Sequence, residues 1–246
     1  MLRRWIFVRD GRLSGAAKLA LVLLAVAALV ATFPMRLALA WVAPHQVTAR
    51  EVEGTVWSAA IYDLRVGALP LGDVATHLRF LPLMVGRAEL HVERPGAGAL
   101  PAFAANGAGG SGWAYLHDVN GQVALGDGFG AIPATALGFK DFHVAMASGR
   151  CREAGGEVSL ILAPLSELMP GTVALTGPAR CSKGALYVPM TGPSGLERVF
   201  LRIEPDGRWR ADLVLTGLPV EIATPLLDFG FSAKPGGIGI TASGRL

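Results

Sequence analysis

The chain begins with a polar, basic segment, continues with a long apolar run, and then alternates apolar and polar residues almost to its end. Leu19 to Met35 is a run of 17 residues without a formal charge. At roughly 1.5 Å per helical residue, this run covers about 25 Å of a hydrocarbon core that is ~30 Å thick. We therefore predict a transmembrane helix over residues 19–35, held in the bilayer by Leu19, Leu23, Leu24, Val26, Leu29, Val30 and Phe33.

Beyond this run, an alternation with a period of two predicts strands separated by turns. The clearest pair is Glu197–Glu204 and Arg208–Thr216, joined through Asp206-Gly207, since an Asp-Gly step favours a tight hairpin turn. The same alternation predicts further strands at Ile61–Val66, Asp73–Phe80, Arg87–Glu93, Trp113–His117, Phe142–Ala147, Glu157–Leu162 and Ala185–Val188.

Few other segments favour a helix. Val220–Phe229 has apolar residues at helical spacing and is followed by Gly230 as a C-cap, and Pro164–Leu168 can form one turn. Residues 96–112 are rich in glycine and alanine and predict a flexible connection rather than a strand. The predicted fold is mainly β: one transmembrane helix, then an antiparallel sandwich or curved sheet with one or two short helices, over residues 36–246.

The distribution of charge orients the chain. Residues 1–18 hold five basic residues and one acidic residue (net +4), whereas the rest holds 17 basic and 18 acidic residues (net −1). A basic leader before the span predicts a cytoplasmic N-terminus and a body on the outer side of the membrane. Because that body is nearly neutral, we expect no nucleic-acid partner. Ala38-Leu39-Ala40 leaves open the alternative of a signal peptide cleaved after Ala40.

The two cysteines, Cys151 and Cys181, agree with an exported body. In an oxidising compartment such a pair predicts a structural disulfide, and we place the two residues at the starts of neighbouring strands.

A search for catalytic or ligand-binding chemistry gives no candidate catalytic residue, cofactor site or metal site. The five histidines are dispersed without metal-ligand spacing, and we interpret them as solvent-facing or hydrogen-bonded strand residues. Neither a phosphate-binding loop nor a dinucleotide motif is present. The sequence therefore favours a protein that is not an enzyme.

Several motifs taken together resemble the type II secretion system protein N family. The resemblance begins at Glu53–Ala60, which contains Gly54, Thr55 and Trp57, a candidate partner-contact or fold motif. It extends over most of the chain, through Arg79-Phe80-Leu81-Pro82-Leu83, Cys151 with Gly155–Leu160, Leu175-Thr176-Gly177, Cys181 with Gly184-Ala185-Leu186, Gly230-Phe231 and Gly244-Arg245-Leu246. A tryptophan expected near Leu78 is absent.

The resemblance implies an inner-membrane component of the apparatus that exports folded proteins across the outer membrane. The partners it implies are other components of that apparatus: the inner-membrane assembly platform, and the outer-membrane secretin. The alternative that the apolar composition leaves open is a membrane-anchored periplasmic module that binds or transfers lipid in an apolar groove. A continuous apolar groove would favour this alternative, and a sheet closed on its own core would count against it.

Overall fold

The computed structural model describes residues 15–42, 47–67, 69–96, 101–110, 112–126, 129–164, 171–219, 224–227 and 230–245, without the side chains of residues 41 and 42. Three helices lie in these ranges: α1 (Gly15–Ala31), α2 (Met35–Val42) and α3 (Phe80–Leu83), with a further helical turn at 224–227. The strands of the described residues are β1 (Val47–Thr48), β2 (Glu51–Thr55), β3 (Ser58–Val66), β4 (Leu69–Leu78), β5 (Ala88–Arg94), β6 (Phe103–Gly110), β7 (Trp113–Ala124), β8 (Ala134–Ala147), β9 (Arg150–Leu162), β10 (Val173–Pro178), β11 (Arg180–Ser182), β12 (Ala185–Thr191), β13 (Glu197–Ile203), β14 (Arg208–Thr216), β15 (Ser232–Lys234) and β16 (Gly237–Arg245).

All of these strands belong to one antiparallel sheet. Its order is β1-β3-β4-β5-β6-β7-β8-β9-β10-β12-β13-β14-β16-β15, with β2 paired to β3 and β11 paired to β12. Nearly every strand therefore pairs with the next one along the chain, as in a meander. This architecture confirms a mainly β antiparallel fold with few short helices, and of the two predicted forms it is the curved sheet.

The curvature follows from which strands share a core. Strands β7 and β14 are six steps apart in the sheet order, which is about 29 Å in a flat sheet at ~4.8 Å per step. Nevertheless Tyr115 of β7 and Trp209 of β14 line the same cavity of about 350 Å³. The Phe129 ring, from the segment after β7, stacks on Trp209 with ring centroids 4.9 Å apart. The sheet therefore curls and buries its apolar face against itself.

The buried side chains form two clusters on this inner face. The larger cluster extends from β6 to β16, and the smaller one contains Met35, Val56, Ala59, Ile61, Leu64 and Val74. Leu71 packs against both clusters.

A buried arginine, Arg94, lies near the boundary between the clusters. Its guanidinium donates hydrogen bonds to the carbonyl oxygens of Leu71, Pro101 and Gln122. Burial lowers the pKa of Arg94 from its ordinary value, and these carbonyl groups compensate the buried charge. The arginine thus ties β4, β5 and β7 together at the boundary.

The predicted hairpin is confirmed in detail. Strands β13 and β14 pair with Ile203 opposite Trp209, and Gly207 has a φ of +83°. The Asp206 carboxylate accepts hydrogen bonds from the backbone N–H of Arg208 at 3.1 Å and from its side chain at 2.6 Å. The hydrogen bond from the Arg208 backbone is the largest influence on Asp206 and lowers the pKa of its carboxyl group.

The prediction of a flexible connection over residues 96–112 is wrong for residues 103–110. Residues Phe103–Gly110 form strand β6, which pairs with β5 on one side and β7 on the other. Alanine and glycine have low intrinsic strand propensity, but two flanking partners satisfy the backbone of β6 and override that preference.

Each predicted short helix lies partly outside the described residues. Of Val220–Phe229, residues 224–227 are helical, and Gly230 follows with a φ of +88°, as a C-cap requires. Of the predicted Pro164–Leu168 turn, residues 165–168 lie outside the described ranges.

The apolar run near the N-terminus does not form one continuous helix over residues 19–35. Helix α1 ends at Ala31, and α2 begins at Met35, after Pro34. Proline cannot donate the backbone hydrogen bond of a helix interior, which accounts for the break. In the part of the chain that the structure describes, no helix reaches both the length and the apolar character needed to cross a membrane.

The predicted disulfide is present and links Cys151 to Cys181, with 5.5 Å between the Cα atoms. Cys151 lies at the start of β9, and Cys181 lies in β11. Strand β11 pairs with β12 and lies beside β9. The bond therefore adds to two backbone hydrogen bonds that join β9 to the residues on either side of β11, from the Cys151 N–H to the Gly184 carbonyl at 2.7 Å and from the Ala179 N–H to the Gly156 carbonyl at 3.0 Å.

We predict that the double variant Cys151→Ala/Cys181→Ala lowers the free energy of unfolding by about 3–4 kcal/mol, since the bond closes a loop of 30 residues. Denaturant unfolding of the full chain measures this loss. A reducing agent should destabilise the wild type by a similar amount and leave the double variant unchanged. Equal unfolding midpoints for the oxidised wild type and the variant would contradict a stabilising bond.

Candidate functional site

The first part of the candidate site is the junction between α1 and the sheet. The turn between β2 and β3 consists of Val56 and Trp57. The Val56 backbone N–H donates to the Phe33 carbonyl at 3.0 Å, and the Trp57 indole N–H donates to the Val30 carbonyl at 2.9 Å. Thr55 forms an isolated antiparallel bridge with Pro34. The end of α1 is therefore held by the turn that contains Thr55 and Trp57.

Packing strengthens this junction. Met35, the first residue of α2, is buried in the smaller cluster with Val56, Ile61 and Val74. Phe33, one of the predicted anchor residues, packs partly buried against the same cluster. By contrast, the anchor residues within α1 are exposed: Leu19, Leu23, Leu24, Val26, Leu29 and Val30.

Gly54 is required by the geometry of the β2–β3 turn. Its φ is +92°, which L-residues rarely adopt, and a Cβ atom there would collide with the Ser58 carbonyl oxygen. The structure thus assigns Gly54, Thr55 and Trp57 a local role in joining the helix to the sheet. Whether the motif also contacts a partner stays a prediction.

The second part of the site is an apolar cavity inside the curl of the sheet. Its volume of about 350 Å³ lies at the lower end of the ~300–1,000 Å³ range of ligand pockets. Its walls come from β7, β8 and β9 on one side and from β12, β13 and β14 on the other, and include Leu116, Leu137, Phe139, Val144, Met146, Val158, Val188, Leu201 and Trp209. Arg245 supplies a charged side chain to a lining that is otherwise almost entirely apolar.

A row of cross-strand partners connects the junction to this cavity. Leu78 of β4 is opposite Leu90 of β5, which is opposite Gly107 of β6. Gly107 is in turn opposite Leu116 of β7, and Leu116 is opposite Val144 of β8. Directly opposed residues share one face of a sheet. We call these five residues the apolar row.

The two ends of the apolar row belong to the two parts of the site. Leu78 and Leu90 pack against the smaller cluster, whereas Leu116 and Val144 line the cavity. The Leu78 backbone N–H also donates to the Val56 carbonyl in the junction turn, at 3.1 Å. Leu116 is 43% exposed, so the row opens to solvent beside the cavity.

A polar row occupies the next register position, on the opposite face. His77 is opposite His91, His91 is opposite Asn106, and Asn106 is opposite His117. The His91 ring hydrogen-bonds Asn106 at 2.8 Å, and the His117 ring contacts the Asp118 carboxylate at 2.8 Å. His91 and His117 are thus hydrogen-bonded strand residues, one of the two forms that the sequence predicts. No group of three or more potential metal ligands occurs among the described residues.

Of the residues that the sequence singles out, Gly54, Thr55 and Trp57 lie at the junction and Phe33 packs beside it, whereas the cavity lining and the apolar row were missed. Each strand's alternation was visible in the sequence. The row depends on pairing partners far apart in the chain, such as Leu116 and Val144, and no local pattern encodes their register.

Comparison with known proteins matches the chain to a family model. A model of the family described as type II secretion system (T2SS), protein N, matches residues 45–241, which is 197 of the 246 residues. No curated protein and no solved structure matches the chain significantly.

We predict that Gly54→Ala destabilises the protein more than Gly195→Ala. Both glycines have a positive φ, which costs an alanine about 1 kcal/mol, but a Cβ at Gly195 meets open space. At Gly54 the added methyl forces the backbone apart, for an additional loss of about 1–3 kcal/mol. Denaturant unfolding of the two variants gives the comparison, and equal losses would mean that the turn can relax around the methyl group.

Proposed function

We propose that this chain, which belongs to the type II secretion system protein N family, is a single-pass inner-membrane component of the type II secretion machinery. In this proposal residues 1–18 are the cytoplasmic leader, residues 19–35 contain the anchor, and residues 36–246 form a periplasmic body. The body acts by contacts with other components and catalyses no reaction.

The exposed helix α1 supports the anchor. Its 17 residues carry no acidic group, and its large apolar side chains lie in solvent instead of against the sheet. Such a surface requires an apolar environment, and Lys18 can extend its stem towards the headgroups. The basic leader before it supports a cytoplasmic N-terminus. The disulfide agrees with an oxidising compartment for the body.

The observation that carries the proposal is the hydrogen-bonded junction between α1 and the sheet in a chain that matches this family. A body held at the end of the anchor stays within a thin layer above the membrane. This confinement raises its effective concentration for other membrane-bound components such as the assembly platform.

The open edge of β16 supports a contact with a partner. Strand β16 pairs with β14 along its whole length, but β15 covers only Gly237–Gly239 on its other side. Among the described residues, no strand pairs with that side of Ile240–Arg245. A strand of a partner, such as the outer-membrane secretin, can add to such an edge by β-augmentation.

A second candidate function, lipid binding, is favoured by the apolar row and the cavity. The row leads from the end of the anchor to a cavity large enough for part of an alkyl chain. The inner face is not closed over its whole length, since Leu116 remains exposed. An apolar row beside a partly open apolar cavity supports the lipid-binding alternative.

We predict that a photo-crosslinking amino acid at Ser243, an exposed residue of the open edge, captures a secretion component in cells. The same amino acid at Arg152, exposed in the middle of the sheet on β9, should capture much less. Mass spectrometry of the purified adducts identifies the partner. Capture of no secretion component at any exposed position, together with intact secretion in a deletion strain, would defeat the proposal.

We predict that Leu116→Glu weakens binding of a photoreactive fatty acid by roughly tenfold. Loss of one leucine contact removes about 1.5 kcal/mol of apolar burial, which corresponds to that factor. Leu196→Glu is the matched control, because Leu196 is 40% exposed and lies outside the cavity lining. Equal labelling of both variants and the wild type would remove the support for lipid binding.

A further inference from the structure

A second exposed apolar surface lies in the connection between β4 and β5. Its large side chains are mostly in solvent: Phe80 is 57% exposed, Leu81 80%, Met84 72% and Val85 74%. We call residues 80–85 the apolar loop. Single exposed apolar residues are common on protein surfaces, but four large apolar side chains within six residues form a continuous patch. Such a patch marks an interaction site.

The apolar loop is internally ordered. Helix α3 forms its first turn, and the backbone N–H groups of Met84, Val85 and Gly86 donate to the carbonyl oxygens three residues before them, at 3.0–3.2 Å. The Arg87 N–H also donates to the Pro82 carbonyl at 3.0 Å. The loop thus presents its side chains from an ordered backbone, which lowers the entropy cost of a contact.

The position of the loop identifies what it contacts. The Phe80 ring lies against the Trp57 ring, with centroids 5.6 Å apart. Trp57 in turn donates its indole N–H to the Val30 carbonyl in the last turn of α1. The Trp57 side chain therefore bridges the apolar loop and the end of α1. If α1 is in the bilayer with its C-terminal end outward, the loop lies at the outer interface.

The chemistry of the loop and its flanks fits a lipid surface. Tryptophan is enriched at the membrane interface, where Trp57 would lie in this arrangement. Arg79 and Arg87 flank the loop; both are exposed, and Arg79 pairs with Glu89 at 2.9 Å. Apolar side chains between basic residues are the composition by which interfacial segments bind anionic bilayers.

We propose that the apolar loop inserts into the outer leaflet of the membrane in which α1 is anchored, as a second, interfacial contact. This inference rests on the proposed anchoring by α1. Two contacts, the helix and the loop, fix both the position and the tilt of the sheet above the membrane. The junction makes this possible because Trp57 contacts the helix and Phe80 at once.

The test places a diazirine amino acid at one position at a time in the full chain, reconstituted into vesicles of phosphatidylethanolamine and phosphatidylglycerol. Met84 reports on the loop, Leu24 on the anchor, and Leu196 on the body. We expect lipid adducts by mass spectrometry at Met84 and Leu24, with at least about tenfold fewer at Leu196. Met84 and Leu24 are more than 70% exposed and Leu196 is 40% exposed, so the substitutions disturb little packing.

The outcomes separate the two proposals. Lipid adducts at Leu24 with none at Met84 would keep the anchor and overturn the inference about the loop. Absence of lipid adducts at Leu24 would overturn the anchor and, with it, the inference. In cells, a protein adduct at Met84 in place of a lipid adduct would show a protein-binding loop and overturn the inference as well.

Discussion

A sheet with one apolar face and no covering layer must bury that face against itself, and this constraint shapes the rest of the structure. The described strands form one meander, so no second sheet is available to cover the inner face. Curling brings β7 and β14 to the same core, where Phe129 stacks on Trp209. Packing across a curl is less complete than packing between two matched layers, and the cavity is the space that remains.

The direction of the curl follows from alternation along the strands. In β5, Leu90 and Val92 point to one face, whereas Glu89, His91 and Glu93 point to the other. The polar row continues through Asn106 and His117 on neighbouring strands, where side chains hydrogen-bond each other. Curling the other way would bury Glu93, whose side chain is half exposed, and would expose Leu90 and Val92, so the outer face stays polar.

The sequence predicts those features whose cause is local, and misses those that depend on distant partners. The β13–β14 hairpin was predictable because Asp206-Gly207 fixes the turn, and the two cysteines predicted the bond between them. Strand β6 was missed because a composition of glycine and alanine is typical of a linker. The strand forms because β5 and β7 supply hydrogen-bond partners on both sides. The break before α2 has a local cause in Pro34, but the prediction of one helix over residues 19–35 rested on the length of the apolar run and did not include that break. The anchor stays a prediction, since its support is the exposure and composition of α1.

A single turn, Val56-Trp57, contacts the end of α1, the start of the apolar row and the apolar loop. Val56 accepts a hydrogen bond from Leu78, where the apolar row begins, and donates one to Phe33, between the two helices. Trp57 contacts both the end of α1 and Phe80. A change in how α1 is held would therefore shift the start of the row and the apolar loop together. The close packing of this turn is evident at Gly54, where a Cβ atom would collide with the Ser58 carbonyl oxygen.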